Sequence, residues 1–198
     1  AIDAPASAGS NTLVLPTGNG SAGQILQTDG SGNLSWVDKP TGIKHCSQWR
    51  VTADWNPNNN ETDISANWEE VDTDSARVGS AMTQSSGVFT FPETGVWRVE
   101  IQGQVHFDGA SSDYVNLYLD VSSDGGSSWS RRATGKESMP ADVGGFVYSC
   151  PHVNYLLDVT NTTNVKVKFI TETHQDVTWR GDSNLNETFA TFTRIGDT

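Results

Sequence analysis

Hydrophobic and polar positions alternate most regularly in GVWRVEIQGQVHF, residues 95–107. Trp97, Val99, Ile101, Gly103, Val105 and Phe107 share one parity, and Arg98, Glu100, Gln102, Gln104 and His106 the other. A period of two over this length predicts a β-strand with one buried face. DYVNLYLDV (113–121) repeats the pattern, with Val115, Leu117, Leu119 and Val121 inward and Asn116 and Asp120 outward. YLLDV (155–159) and NVKVKFI (164–170) follow, joined by a turn at Thr160-Asn161-Thr162-Thr163, and ETFATFTRI (187–195) closes the chain with aromatic and β-branched residues. Helical spacing is found in ISANWEEV (64–71), where Ile64, Trp68 and Val71 fall at i, i+4 and i+7 and predict one short turn. Short strands divided by frequent turn signals predict an all-β antiparallel sandwich or barrel.

Residues 1–40 have a different pattern. They are rich in Ala, Ser, Gly, Asn and Pro and carry two kinds of apolar run, Leu13-Val14-Leu15 and the pair Ile25-Leu26 and Leu34-Ser35-Trp36-Val37. Asp29-Gly30-Ser31-Gly32-Asn33 lies between the members of that pair. Gly and Asn tolerate positive φ, so the stretch predicts a β-hairpin. A lone hairpin is marginally stable in water and needs something to pack against. The chain therefore divides into an extended segment with a hairpin (1–40) and a globular β domain (41–198).

Composition narrows the partners. The net charge is −12 with a pI near 4.5, so no basic surface is available for nucleic-acid phosphates or anionic lipid heads. No apolar run is long enough to cross a membrane as a helix, and no basic start with an apolar stretch marks a signal peptide. Ala at position 1 reads as a processed product or an excised fragment. Cys46 and Cys150 could form one long-range disulfide or act as separate small hydrophobes.

SSGVFTFPETGVWRVEIQGQV (85–105) resembles the central segment of the complement-globular-head and tumour-necrosis-factor jelly rolls, with Phe89-Thr90, Pro92, Gly95 and Trp97 in the matching places. TFATFTRI resembles the final strand of that fold. The likeness covers roughly residues 45 to 195, and its specific part is 85–105. LVLPTGNGSAGQILQTDGSGNLSWVD (13–38) is similar to a repeat element of bacteriophage tail-fibre and virion-appendage proteins, and FTRIGD resembles the ending of phage structural proteins. Together these resemblances imply an antiparallel jelly-roll sandwich that associates as a homotrimer, preceded by a short β-hairpin neck. They also imply a non-enzymatic structural role in a virion, as a head for host-surface recognition or for decoration of the particle, with other fibre or capsid proteins and a host cell-surface receptor, glycans included, as partners. The rival readings are a secreted complement-head-like trimeric ligand of a cellular organism, for which the sequons at Asn60, Asn161 and Asn186 would matter, and a fragment of a carbohydrate-active enzyme.

The remaining motifs favour structure over chemistry. SSDGGSSW (122–129) has Asp-box spacing, in which the Asp side chain holds a hairpin turn. RGDS (180–183) matches an adhesion tripeptide in letters, and Gly181-Asp182-Ser183 lacks the downstream Asp-x-x-His that a hydrolase of that type requires. His45 and Cys46 are strand neighbours that point to opposite faces, Cys150-Pro151-His152 offers no better set, and DTDS (72–75) lacks the Gly-centred loop and closing Glu of a calcium site. No catalytic residue, metal ligand or cofactor is predicted. The candidate recognition residues are Trp55, Asn58, Asn59 and Asn60 in DWNPNNNETD (54–63), and Trp179 and Asp182 in TETHQDVTWRGDSN (171–184). Indole faces stack on sugar rings while amides and carboxylates bond the hydroxyls.

Overall fold

A computed structural model describes residues 12–39, 42–57, 60–107, 112–139, 147–174 and 177–198. The chain parts into two compact units, divided between Gly42 and Ile43.

In the first unit, β1 (Gln24–Thr28) pairs antiparallel with β2 (Leu34–Asp38). The turn between them is built on Asp29. Its carboxylate accepts the N–H groups of Ser31 and Asn33 at 2.8 and 3.1 Å and the Asn33 amide at 2.6 Å. These bonds, the Asn33 side chain first, hold the Asp29 carboxyl below its ordinary pKa. Gly30 and Gly32 sit at φ +80° and +95°, a region costly for other residues. Val14 bridges to Asn33 alongside the hairpin. Register puts Leu26 and Trp36 on one face, and Ile25 and Val37 on the other. Apolar side chains therefore stand on both faces, and Ile25, Leu26 and Trp36 keep 40–43% of their surface exposed.

The second unit contains β3 (Cys46–Val51), β4 (Ala53–Trp55), β5 (Thr62–Asp63), β6 (Trp68–Glu70), β7 (Thr83–Ser85), β8 (Val88–Thr90), β9 (Gly95–Gln102) and β10 (Val105–Phe107). It continues with β11 (Ser112–Ser122), β12 (Ser130–Met139), β13 (Val147–Ser149), β14 (His152–Val159), β15 (Lys166–Thr173), β16 (Thr178–Asp182) and β17 (Phe189–Gly196). A five-stranded sheet in the order β14-β9-β17-β3-β6 packs with a six-stranded sheet in the order β12-β11-β15-β8-β7, to which β5 adds at β15. A four-stranded sheet, β13-β10-β16-β4, extends the sandwich. The core interdigitates aromatics from both main sheets: the Phe89 ring lies 4.9 Å from Phe192, 5.1 Å from Trp68 and 5.7 Å from Phe169. Arg50 is buried beside this core, its guanidinium bonded at 2.7 Å to both Glu69 and Asp72, which supplies the pairing a buried cation requires.

Three local expectations are corrected. Residues 64–71 form no helical turn. Asn67 adopts φ +60°, Trp68–Glu70 runs as β6 against β3, and the Trp68 indole donates to the Ile64 carbonyl at 2.7 Å, so both apolar side chains reach the core from extended chain. The 95–107 strand is two strands in different sheets, broken at Gly103-Gln104. A side chain at 103 would meet the Trp179 ring at 2.3 Å, and Gly103 N–H bonds Pro151 O instead of a sheet neighbour's ladder. The inward parity nonetheless holds from Trp97 to Val105, with Phe107 half-buried. On β11 the outward residues Asn116 and Asp120 are buried too, because side chains of neighbouring strands close over them.

Candidate functional site

The two predicted recognition stretches are brought together. Trp179 on β16 and Trp55 on β4 are register partners, and their rings stack at 5.7 Å with planes 24° apart. The stacking face expected at 179 is covered within the protomer. Trp179 is completely buried between Trp55 and the Gly103 backbone, and Trp55 is half-buried. Both indole N–H groups are buried without a hydrogen-bond acceptor among the described residues. Asp182 accepts the N–H groups of Asn184 and Leu185 at 2.6 and 2.9 Å, bonds that lower its pKa and fix the following turn. Asn60 is exposed, whereas Asn58 and Asn59 lie outside the described residues. The RGDS letters are part of the same strand pairing: Arg180 binds Asp54 at 2.5 Å and Gly181 N–H donates to Asp54 at 2.9 Å.

The Asp-box turn is built as its spacing implied. Asp124 accepts from the Ser122 hydroxyl at 2.8 Å, the Ser128 N–H at 2.9 Å and the Ser128 hydroxyl at 2.6 Å, closing the β11–β12 connection. These bonds, the Ser128 hydroxyl foremost, bring the Asp124 pKa down to about 2.

His45 is placed for structure. His45 stacks on Trp97 at 5.9 Å and accepts the Ser80 N–H through Nδ1 at 2.9 Å, which leaves Nε2 to donate to Glu93 at 2.7 Å. Glu93 also binds Lys44 at 2.6 Å. Hydrogen bonds from Lys44 first and His45 second lower its pKa to about 2. Cys46 and Cys150 are free thiols. Cys46 faces Thr193, and the Cys150 thiol is pushed up by burial and by Glu137.

Sequence reasoning missed two features of the six-stranded sheet's outward face. The first is a polar and aromatic ladder across β11, β12 and β15. Arg131 lies 3.6 Å over the Tyr118 ring and bonds Asp120 at 3.0 Å and Glu61 at 2.6 Å. Tyr118 donates a short hydrogen bond to Glu172, which also accepts from Asn116 at 2.9 Å and Tyr114 at 3.2 Å. Burial and the Glu172 carboxylate raise the Tyr118 pKa to about 12. The uninterrupted run from Val115 to Ser122 of buried residues shows why alternation alone misread this strand: both of its faces are covered. The second feature is an open groove of about 430 Å³ beside Trp129, lined by side chains from β7, β8 and β15. Its members are too far apart in sequence for any spacing rule to connect them.

Neither a known protein family nor a curated protein sequence matches the chain. Among solved structures, the fold is similar to the crystal structure of murine APRIL at pH 5.0, with a TM-score of 0.51 and 13% identity over 76% of this chain and 98% of that one. It is also similar to the Eiger TNF of S. frugiperda, with a TM-score of 0.53 and 11% identity over 80% of this chain and 96% of that one. At such identities the likeness is one of fold, and the fold is an all-β antiparallel jelly roll of the tumour-necrosis-factor kind.

Proposed function

We propose that the chain is one subunit of a non-enzymatic homotrimer whose jelly-roll head binds a cell-surface receptor and whose hairpin segment is the neck. The observation that carries this reading is the hairpin unit, with apolar residues exposed on both faces and Leu13, Val14 and Leu15 exposed at 54–67% beside them. One copy offers these residues no core. Three copies around an axis would bury them against one another, and closed rotational symmetry makes such an interface self-limiting. The jelly-roll fold supports the trimer through the family resemblance, and it favours a trimeric receptor ligand. The virion-appendage setting rests on the resemblances of the 13–38 segment and of the closing FTRIGD. Within either setting, Asn60 is exposed and Trp55 and Asp182 are partly exposed members of the recognition end proposed from sequence.

Light scattering at micromolar concentration is expected to give three times the 21.4 kDa chain mass. The joint variant Ile25→Ser, Leu26→Ser is expected to give the single-chain mass with the head still folded. A wild-type mass near one chain sinks the proposal. Saturable binding of labelled protein to animal cells supports the ligand setting, and saturable binding to bacteria supports the appendage setting.

A further inference from the structure

The groove beside the Asp-box turn has the composition of a sugar site. Trp129 is half-buried and lines the open volume. Lys168 extends its ammonium to 5.0 Å from the Trp129 ring centroid, where Asp63 holds it at 2.8 and 3.0 Å. Lys166, two residues earlier on the same face of β15, donates to the Thr90 hydroxyl at 2.8 Å. Gln84 contributes an amide from β7. An aromatic face flanked by ammonium, carboxylate, amide and hydroxyl groups suits a pyranose, which offers C–H groups on its faces and hydroxyls around its edge.

The charge balance selects among pyranoses. Two ammonium groups and one carboxylate line the groove, and the partner of Lys166 is neutral. Asp124, on the adjoining turn, directs its carboxylate to Ser122 and Ser128. With Asp124 ionised beside the groove, the charges balance overall, and Lys166 is the lining ammonium whose hydrogen-bond partner carries no charge. Charges beyond a Debye length of about 8 Å at physiological salt are largely screened, Lys168 is matched by Asp63, and Lys166 is left as the group that favours a carboxylate. We propose that this groove binds a carboxylated pyranose, a hexuronate unit of an acidic polysaccharide, with its ring on Trp129 and its carboxylate on Lys166. The site deepens the recognition role and does not rest on the trimer, since every group belongs to one protomer.

The test titrates the full chain with glucuronate, galacturonate, glucose and acetate while following the indole N–H resonance of Trp129, assigned through Trp129→Phe. A charge-assisted hydrogen bond predicts that at least one uronate binds about tenfold tighter than glucose. Acetate, which has no ring to stack, is expected to bind far more weakly than that uronate. Lys166→Met is expected to remove the preference for uronate while thermal unfolding stays unchanged. Trp129→Ala, which lacks the reporter indole and is followed by isothermal titration calorimetry instead, is expected to remove binding of both sugars, and Trp55→Ala to leave it intact. Equal affinity for glucuronate, galacturonate and glucose, acetate binding as tightly as uronate, or uronate binding unaltered by Lys166→Met overturns the proposal. Mass measured on the same samples keeps a failure of the trimer separate from a failure of the groove.

Discussion

The hairpin unit and the head use the same chemistry to opposite ends. Both are antiparallel β-structure with tryptophan, and both turn their chain on an aspartate that gathers backbone N–H groups, Asp29 in one and Asp124 in the other. The head buries Phe89, Val99, Leu117, Phe169 and Phe192 completely, whereas no apolar side chain of the hairpin is fully buried among the described residues. Two strands can satisfy their own hydrogen bonds but cannot enclose a core. Identical local rules thus produce a self-sufficient domain where two sheets face each other, and an incomplete surface where a single ribbon stands alone. On the function proposed above, this difference fits the head to recognition and the hairpin to assembly.

The sharpest way to break this contrast is to remove a core ring. Phe89→Ala leaves Trp68, Phe169 and Phe192 without their common neighbour and is expected to cost about 3–5 kcal/mol in chemical denaturation of the head. Trp36→Ala, a larger deletion in the hairpin, is expected to change head unfolding by less than about 0.5 kcal/mol. Trp36 contacts Gly20 and donates to Gly18, and it belongs to no buried cluster. Comparable losses for the two variants would mean that the hairpin shares the head's cooperative unit.

The same contrast sets how much of the molecule was legible. Strands with one covered face announced themselves: β9 and β17 alternate buried and accessible residues along nearly their whole length. β11 was legible as a strand but not as one covered on both sides, because Arg131 and Glu172 convert its outward side into a second, polar interior. The break at Gly103 was invisible because its cause, the Trp179 ring, lies 76 positions away in sequence. The Asp-box could be read because all its hydrogen bonds are local. The groove could not, since Trp129, Lys166 and Gln84 meet only after the sheets form. The candidate tryptophans were named from two separate stretches; neither their stacking nor the burial of Trp179 was legible, because both depend on which ring the fold puts on top.

A smaller effect distinguishes the units by acid. Glu93 has a folded-state pKa of about 2 against an ordinary 4.5, so its stabilisation is complete above 4.5 and is lost as pH falls toward 2. Glu93 is one-third exposed, so solvent screens the pairing and the loss is expected to be about 1 kcal/mol. Urea unfolding at pH 6 and pH 3 measures it in the head. Glu93→Gln should remove this part of the acid sensitivity, since Lys44, His45 and Arg194 then face an amide at every pH. An unchanged acid slope would place the sensitivity in other carboxylates.

The smallest effect compares the two aspartate turns directly. Asp124 titrates at about 2 through its bonds to Ser128 and Ser122, and Asp29 is lowered through Asn33 and Ser31. Each therefore stabilises its turn above the ordinary carboxylate range and ceases to do so as pH falls through its own lowered value. Carboxyl carbon shifts followed by NMR should show both midpoints below 3.8, that of Asp124 near 2. The consequences of removing the groups should differ. Asp124→Ala acts on a turn joining two long strands of the head, so its effect should register in the head's thermal midpoint. Asp29→Ala should speed amide exchange at Ser31 and Asn33, whose N–H groups lose their acceptor, and leave that midpoint where it was. A shift of the head's midpoint by Asp29→Ala would show that the turn of the hairpin is energetically coupled to the sandwich. The division between Gly42 and Ile43 would then be one of contacts alone.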